Sequence, residues 1–424
     1  MQRTPPPPPL AHSVCPVFAL VLPPPLHSFL STMPAAASAS TAPTKGSVIW
    51  VDGCFDMMHF GHANAMRQAR ALGTQLIVGV HSDEDIAHHK GPTVMQERER
   101  YEAVRGCKWV DRVVEASPYV TELEVVEAEG ADWVAHGDDI TSSADGRDTY
   151  WRVKEAGKYI EFKRTEGVST TDLVGRMLLC TREHFTKPVD DDQESILGMS
   201  SLAATQLQDF AAASCGIPAT RVSHYRPKSK TISPLFPEGG PAPGARIVLV
   251  SGAFDLFHVG HIRFLERARA LGDYLVVAVQ DDQTVNRIKG NNMPIMNLYE
   301  RTLGVLSCRF VDEVIIGAPY SVDDVVLEHF KDVGGVAVVA HGQTDTIPDV
   351  DGSDPYATAR ERGIFQRVLA PAGKDAIDVE LSAVTSEDVI RRIINRRSVY
   401  EERNRRKDQK AAVEEQLLSA QNQS

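Results

Sequence analysis

The chain has 424 residues, of which 42% are hydrophobic and 24% charged, and its formal net charge is −12. This length and composition indicate a soluble globular protein with more than one core, and the acidic balance argues against a nucleic-acid-binding protein. The six cysteines are scattered and fit neither a disulfide framework nor a metal-binding pattern, which suits a reducing compartment. They are Cys15, Cys54, Cys107, Cys180, Cys215 and Cys308.

Residues 1–45 are rich in proline, alanine, serine and threonine, a composition typical of disordered segments. The apolar stretch 17–22 is far shorter than the ~20 residues that span a bilayer, so we expect no transmembrane segment. The prolines and the lack of a charged cluster disfavour a signal peptide without eliminating it. Met1 and Met33 are both candidate starts of translation.

Strand-like and helix-like stretches alternate from residue 46 to 183, which predicts an α/β domain with a mainly parallel sheet and crossover helices. The predicted strands are 47–51, 75–80, 109–114 and 133–136, and the predicted helices are 97–105 and 122–129. Ligands of such sheets bind at the carboxyl ends of the strands.

The first predicted strand runs into a motif at residues 51–62, Val-Asp-Gly-Cys-Phe-Asp-Met-Met-His-Phe-Gly-His, and an amphipathic pattern follows. His59 and His62 therefore lie where a strand turns into a helix, the end that binds anions through free N–H groups and the helix dipole. Gly61 lets phosphate approach the backbone, and imidazoles can donate hydrogen bonds to its oxygens. We predict a phosphate site, with purely structural histidines as the alternative. Zinc is not expected, because no third ligand is evident.

The motif recurs at residues 250–261, where His258 and His261 occupy the two histidine positions. Further positions match as pairs in the two halves: Lys90 with Lys289, Glu99 with Glu300, Arg100 with Arg301, Trp109 with Phe310, and Tyr119 with Tyr320. Recurrence favours a phosphate-binding role for Lys90 and Arg100 over ordinary surface charge. Ala253 replaces Cys54, which argues against a nucleophilic thiol.

A repeat of this length predicts two related domains, 46–183 and 246–395, joined by a linker over residues 184–245. The charged tail, residues 396–424, is expected to be a solvated helix or a disordered end.

The two halves diverge beyond the fourth strand. The first half has His-Gly-Asp-Asp at 136–139 and Arg-Thr-Glu-Gly-Val-Ser-Thr-Thr at 164–171, which opens a helical pattern and offers a second anion site. In the second half Gln343 and Thr344 replace Asp138 and Asp139, Ser251 replaces Asp52, and Glu380 stands at the position of Arg164. We therefore expect the second domain to be degenerate.

These motifs, Gly-x-Phe-Asp-x-x-His-x-Gly-His with Arg-Thr-Glu-Gly-Val-Ser-Thr-Thr, resemble those of the cytidylyltransferase family. The tandem copies and residues 136–139 and 145–150 are most similar to the branch that acts on phosphoethanolamine, over residues 48–395. The resemblance implies two tandem Rossmann-like nucleotidyltransferase domains. It also implies transfer of CMP from CTP to phosphoethanolamine with Mg²⁺, by in-line attack, giving CDP-ethanolamine and pyrophosphate for phosphatidylethanolamine synthesis.

By this resemblance, the expected catalytic residues are His59, His62, Lys90 and Arg164. The expected CTP-binding residues are Gly53, Phe55, Asp56, Gly61, Arg100, Asp138, Ser169 and Thr170. For phosphoethanolamine we expect Asp52 to bind the amine, with Trp109, Trp133 and Tyr150 as aromatic walls; a core role is the alternative for the three aromatics.

No protein metal site is expected, and Mg²⁺ would arrive with CTP. We also expect an internal pseudo-dimer of the two domains, with a homodimer of the whole chain left open, and a cytoplasmic location with peripheral association with the endoplasmic reticulum.

Three alternatives stay open at this point. A phosphocholine or glycerol-phosphate cytidylyltransferase would share the CTP motifs and differ in the amine pocket. An aminoacyl-tRNA synthetase also begins a helix with His-x-Gly-His, but the Lys-Met-Ser-Lys-Ser loop is absent and the charge balance does not suit tRNA. A non-catalytic nucleotide-binding scaffold is the third alternative, and it is a role that the second domain could fill.

Overall fold

The computed structural model describes residues 43, 46–139, 141, 143, 147–179, 181–186, 200–236, 240–370 and 376–406. Apart from residue 43, the predicted disordered segment 1–45 lies outside these residues, as do Cys15, Cys180 and residues 407–424 of the tail. Within the described ranges, no helix is both long and apolar enough to cross a bilayer.

The first domain alternates strands and helices. Its strands are β1 (Val48–Gly53), β2 (Gln75–Val80), β3 (Arg112–Glu115), β4 (Trp133–Gly137) and β5 (Tyr159–Phe162). Its helices are α1 (Phe60–Arg70), α2 (Asp83–His89), α3 (Glu97–Arg105), α4 (Leu123–Ala128), α5 (Trp151–Glu155) and α6 (Thr170–Leu179). The sheet is parallel throughout, in the order β3-β2-β1-β4-β5, which confirms the predicted α/β class.

The segment predicted as a linker contains helix α7 (Ser201–Ala211) and an antiparallel hairpin of β6 (Arg221–Arg226) and β7 (Thr231–Phe236). Leu207 and Phe210 of α7 are buried in the main core. The segment is therefore part of the folded protein and not only a connection.

The second domain repeats the first. Its strands are β8 (Ile247–Gly252), β9 (Tyr274–Gln280), β10 (Glu313–Ala318), β11 (Val336–His341) and β12 (Phe365–Arg367). Its helices are α8 (Val259–Arg269), α9 (Asp282–Lys289), α10 (Leu298–Leu306), α11 (Asp324–Glu328), α12 (Ala357–Glu361), α13 (Ala376–Ala383) and α14 (Ser386–Asn395). The sheet order is β12-β11-β8-β9-β10-β6-β7, so the linker hairpin extends the repeated five-stranded sheet.

The two domains contact each other through equivalent residues. The backbones of Cys107 and Cys308 form an antiparallel bridge. Lys108 N–H donates to Ser307 O at 2.8 Å, and Arg309 N–H donates to Gly106 O at 2.9 Å. Such a reciprocal exchange is the pattern of an isologous interface, so the chain contains the expected internal pseudo-dimer.

A hydrophobic cluster joins the two motif turns across this interface. Met57 and its equivalent Leu256 both belong to it, together with Val174 of α6 and Ile393 of α14. Each motif is therefore packed against the other domain as well as its own. Since apolar burial stabilises by roughly 25 cal/mol per Å², this shared cluster holds the two turns together.

The beginning of the charged tail is helical but is not solvated on all sides. Residues 397–406 form a helix, and Tyr400 is only 1% exposed because it packs into the interdomain cluster. Arg397 and other charges on this helix are exposed. The expectation of a solvated helix therefore fails for one face, because a single buried aromatic in a charged segment was not recognised as a contact.

Lys108 ties the interface to the linker segment. Its Nζ donates to Phe210 O at 2.6 Å and to Thr220 Oγ1 at 3.0 Å. Loss of hydration lowers the pKa of Lys108 to about 8.

We expect this ammonium to make stability rise between pH 8 and 10.5, because folded Lys108 loses its proton near 8 and the unfolded side chain near 10.5. The unfolded state then binds more protons, and the free energy of unfolding increases with pH. Urea unfolding across this range measures the slope. Lys108→Met is the control and should lose this rise; equal slopes in both proteins would contradict the assignment.

Candidate functional site

The turn from β1 to α1 is strained in both domains. Phe55 has φ 51° and Met57 φ 47°, and the equivalent Phe254 and Leu256 have φ 50° and 51°. Non-glycine residues in this left-handed region cost roughly 1–3 kcal/mol each and persist only where neighbouring contacts enforce them. The repeat of the same strain at the same two positions shows that both domains share one constrained turn.

Asp56 enforces this turn. Its buried carboxylate accepts the N–H groups of Val94 (3.1 and 3.0 Å) and Met95 (2.9 Å), and Arg403 Nη1 lies 3.3 Å from Oδ2. In the second domain Asp255 accepts the two corresponding amides at 2.7 and 2.9 Å. Asp56 thus orders the motif, and its carboxylate points into the protein.

His59 caps the N-terminus of α1. Its Nδ1 accepts the N–H of Gly61 at 3.2 Å, and its ring stacks on that of His62 with centroids 3.9 Å apart. The edge of Phe55 meets His62 at 5.5 Å, and the Phe55 ring also covers Gly53. The structure therefore brings the two predicted histidines together at the helix end.

The structure gives a further reason for glycine at position 61. A Cβ there would lie 2.9 Å from Val168 Cγ1 and 3.0 Å from the His59 ring. The segment before α6 therefore occupies the side of Gly61 where a side chain would stand, and Gly61 permits this close contact of two chain segments.

The N-terminus of α6 meets the motif as well. Thr170 Oγ1 donates to Asp56 O at 2.9 Å, and Ser169 Oγ accepts the N–H of Asp172 at 3.0 Å. Two helix N-termini, those of α1 and α6, therefore converge beside the histidines. The positive ends of both helix dipoles favour an anionic ligand.

Arg164 lies at the rim, six residues before α6 begins. Its backbone N–H donates to Asp138 Oδ1 at 2.8 Å, and its Nη1 lies 2.9 Å from Asp139 Oδ2. The ion pair is exposed, with side-chain exposures of 50% and 39%. Such pairs contribute about 1 kcal/mol or less, so a more highly charged ligand can replace Asp139 as the partner of Arg164.

Lys90 ends α2 and is exposed, with its Nζ 5.3 Å from the ring centroid of Tyr119. Tyr119 also stacks on His89 at 4.0 Å. The ammonium group is thus held near an aromatic face at the carboxyl edge of the sheet.

Arg100 lies beneath the site. It is 1% exposed and donates to Cys54 O at 2.7 Å, to His81 O at 2.8 Å and to Asp83 Oδ1 at 2.8 Å. Arg301 makes the equivalent bonds in the second domain. The structure therefore gives Arg100 the task of joining the carboxyl ends of β1 and β2, and not the ligand contact that its recurrence suggested.

The same burial affects the cysteine of the motif. Burial raises the pKa of Cys54 to about 11, so the thiol stays protonated at neutral pH. This agrees with the expectation that Cys54 is not a nucleophile.

A second polar centre surrounds Asp52. Its buried carboxylate accepts Trp50 Nε1 at 2.9 Å, Thr121 Oγ1 at 2.6 Å and the Tyr150 hydroxyl at 2.7 Å. The ring of His136 lies 4.5 Å from that of Tyr150. This centre lies at the carboxyl ends of β1 and β4, the edge where a parallel sheet binds its ligand.

The predictions for the three aromatic residues have different outcomes. Tyr150 lies beside Asp52 as expected. Trp109 instead packs on Phe210 in the main core with ring centroids 5.0 Å apart. Trp133 packs at the start of β4 against the core on the α1 side of the sheet, the face opposite to Trp50. The core alternative therefore holds for both tryptophans, because a tryptophan near a motif in sequence can face the other side of its strand.

Sequence reasoning missed four residues of this centre: Trp50, His81, Thr121 and His136. His81 directly follows β2 and is buried, and burial lowers the pKa of its imidazole. Both His81 and His136 stand at the carboxyl end of a strand. Inspecting the polar residue at each predicted strand end would have found them.

The second domain lacks most of this centre. Leu249, Ser251, Gln280 and Val322 occupy the positions of Trp50, Asp52, His81 and Thr121. Lys289 Nζ, the equivalent of Lys90, is paired with Glu387 at 2.8 Å. Burial lowers the pKa of His258 to about 3 and that of His261 well below its usual value, so neither ring carries charge at neutral pH.

A cavity of about 1220 Å³ nevertheless opens in the second domain, lined in part by His261, Lys289 and Tyr320. Its size does not identify the reactive site, because the charges that the first domain offers are absent or neutralised there.

Glu380 does not stand where Arg164 stands. It lies on α13, which has no counterpart among the described residues of the first domain. Strand register pairs His136 with Glu161 and His341 with Arg367, which places Ala370 at the position of Arg164. The second domain still lacks an arginine at this position. The expected replacement of arginine by glutamate, which was inferred by counting along the sequence, was wrong.

A family model described as cytidylyltransferase-like matches the chain twice, at residues 50–176 and 249–375. The chain belongs to the cytidylyltransferase family. The two matched ranges coincide with the two repeated sheets, and the first contains both polar centres.

Several cytidylyltransferase relatives are similar over most of their length. The ethanolamine-phosphate cytidylyltransferase of Mus musculus is 47% identical over 85% of this chain and 89% of its own. That of Dictyostelium discoideum is 47% identical over 88% and 97%, respectively. Choline-phosphate cytidylyltransferase 2 of Arabidopsis thaliana is 41% identical but covers 36% of this chain.

Among the described residues, no group of three or more histidine, cysteine or acidic side chains could hold a metal ion.

The Asp56 contacts predict equal stability losses in the two domains. We expect Asp56→Asn and Asp255→Asn each to lower the free energy of unfolding by about 2 kcal/mol, because an amide cannot accept both backbone donors equally well. Urea unfolding measures the effect, with an unchanged m value as the sign of an intact fold. A wild-type midpoint for either variant would show that the bond pattern does not support its turn.

Proposed function

We propose that this chain transfers CMP from CTP to phosphoethanolamine, giving CDP-ethanolamine and pyrophosphate. The observation that carries the proposal is the pairing, in the first domain, of a buried carboxylate, Asp52, with two convergent helix N-termini at the same sheet edge. One centre suits a cationic amine and the other a chain of phosphates. The names and the high coverage of the relatives support the same substrates.

The triphosphate of CTP would lie across the N-termini of α1 and α6. His59 and His62 would donate to its oxygens, Lys90 and Arg164 would supply charge, and Ser169 and Thr170 lie at the start of α6. Arg164 would exchange Asp139 for the β and γ phosphates. The phosphate of phosphoethanolamine then attacks the α-phosphorus in line and pyrophosphate leaves, a reaction that depends on positioning and charge stabilisation.

The Asp52 pocket would bind the ammonium group. A carboxylate offers about four acceptor positions, and three donors already occupy Asp52. One position remains for an N–H of a primary ammonium. A trimethylammonium group has no N–H to donate, so the pocket discriminates against phosphocholine.

Mg²⁺ would enter as part of the Mg·CTP substrate, where it neutralises phosphate charge. The Mg²⁺ requirement is itself part of the proposal, and activity assays with and without the metal test it.

We further propose a cytoplasmic location with peripheral attachment to the endoplasmic reticulum, and leave a homodimer of the whole chain as an added proposal. The free thiols of Cys54, Cys107, Cys215 and Cys308 support a reducing compartment. Cell fractionation tests the location, and sedimentation of the purified chain tests the dimer.

Substrate choice gives the first functional test. With CTP present, pyrophosphate release should show a higher kcat/KM for phosphoethanolamine than for phosphocholine or glycerol phosphate, because only the primary ammonium can donate to Asp52. Asp52→Asn should lower the ratio of kcat/KM for phosphoethanolamine to kcat/KM for phosphocholine by roughly 10-fold or more. Hydrogen bonds to charged groups contribute about 1.5–3 kcal/mol. Equal or better kcat/KM with phosphocholine would exclude the proposed substrate.

The second test asks which domain turns over. A His59→Asn, His62→Asn double variant should lose roughly 10²-fold or more in kcat, because transition-state donors are removed while asparagine can still cap α1. The matched His258→Asn, His261→Asn variant should keep a sizeable fraction of activity. If circular dichroism shows both proteins folded and both are equally inactive, a single reactive site in the first domain is excluded.

A further inference from the structure

The loop that follows Lys90 in the first domain is held from two sides. From below, Asp56 accepts the N–H groups of Val94 and Met95. From above, the helix of residues 397–406, which follows the second domain, contacts the carbonyl groups of the same loop. Pro92 and Thr93, which connect Lys90 to the anchored residues, therefore lie between the first domain and this helix.

The contacts from above come from the last described helices. Tyr400 donates its hydroxyl to Thr93 O at 3.0 Å, and Arg403 Nη1 donates to Pro92 O at 2.9 Å. Arg403 Nη1 also lies 3.3 Å from Asp56 Oδ2, with 13% of the Arg403 side chain exposed. A single guanidinium thus bridges the reactive motif and the Lys90 loop.

Arg392 of α14 completes the contact at the start of α3. Its two terminal nitrogens lie 2.6 and 2.8 Å from the carboxylate oxygens of Glu99, which is 4% exposed. Glu99 in turn accepts the N–H of Gln96 at 2.8 Å. A buried bidentate pair of this kind has little geometric freedom.

The pseudo-twofold relation repeats part of this arrangement in the other direction. Arg176 of α6 pairs with Glu300 at 2.7 and 2.9 Å, and His184 Nε2 donates to Pro294 O at 2.8 Å. The helix that presents Ser169 and Thr170 is therefore also fastened to the second domain. Both phosphate-facing elements of the first domain, α6 and the Lys90 loop, depend on residues of its partner domain.

We infer that Tyr400 and Arg403 are positioning residues for the CTP site of the first domain. They act through the backbone at positions 92 and 93 and through Asp56, and they place Lys90 without touching substrate. This inference rests on the proposed function for the identity of the nucleotide. It gives the helix that follows the second domain a role in the reaction that does not require a second reactive site.

The test uses Tyr400→Phe and Arg403→Gln in the full chain. We expect the KM for CTP to rise about 5-fold or more in each and kcat to fall, because a displaced Lys90 binds the phosphates less well, while the KM for phosphoethanolamine stays little changed. Arg403→Lys should restore part of the CTP affinity, since it keeps the charge beside Asp56. Calorimetric titration of CTP with Mg²⁺ into each protein supplies a readout that needs no turnover.

Arg397→Gln is the matched control, because Arg397 lies on the same helix, is 60% exposed and pairs only locally with Glu401 at 2.7 Å in the described structure. It should bind CTP as the wild type does. CTP binding at wild-type strength in both test variants overturns the inference. So does an equal change in all kinetic constants accompanied by lower stability, since that is the result of a merely structural role.

The two proposals fail separately. If phosphocholine proves the better substrate, the substrate assignment fails while weaker CTP binding in Arg403→Gln still supports the positioning role. If phosphoethanolamine is preferred and CTP binding is unaffected by both variants, the function stands and the positioning role does not.

Discussion

A carboxylate buried at the turn between β1 and α1 constrains the rest of the first domain. A buried charge is costly unless it is paired or hydrogen-bonded, and Asp56 meets this requirement only when two loop amides point at it. The strained Phe55 and Met57, the start of α6 and the loop after Lys90 all contact this one group or its backbone. The turn therefore has a single low-energy arrangement, which also fixes the positions of His59 and His62 directly after it.

The same carboxylate is present in the second domain with the same amide partners, although the reactive groups around it are lost. Asp255 holds its turn, yet Ser251 replaces the pocket carboxylate and Glu387 neutralises Lys289. The residues that hold the turn are thus present in both domains, whereas the reactive groups around the turn are present only in the first. The second domain keeps what a packed partner needs and lacks what an amine and a triphosphate would require.

The sequence predicted the features that depend on local pattern. The mainly parallel sheets and the two repeated domains follow from periodicity and the repeat, and the convergence of His59, His62, Ser169 and Thr170 was implied by the resemblance to the cytidylyltransferases. Contacts between distant positions could not be read in this way. Arg403 reaches Asp56 across nearly the whole chain, and the burial of Tyr400 has no signal in a segment dominated by charge.

The misassignment of Arg100 has a physical origin. Arg100 recurs because both domains need the same buried cation. Recurrence and residue type show that a position is constrained, but they do not separate a ligand contact from an internal one. Linker elements α7, β6 and β7 were missed because mixed composition was taken as a sign of irregular structure.

The hairpin β6–β7 also determines which sheet edges the molecule exposes. It covers β10, and the new outer strand β7 contains Pro234, which breaks the row of N–H donors. The opposite edge, β12, has 3 residues, and the edges of the first sheet, β3 and β5, have 4 each. Short or interrupted edges are poor templates for intermolecular strand pairing, so two open, mainly parallel sheets can share one chain with little tendency to aggregate through their edges.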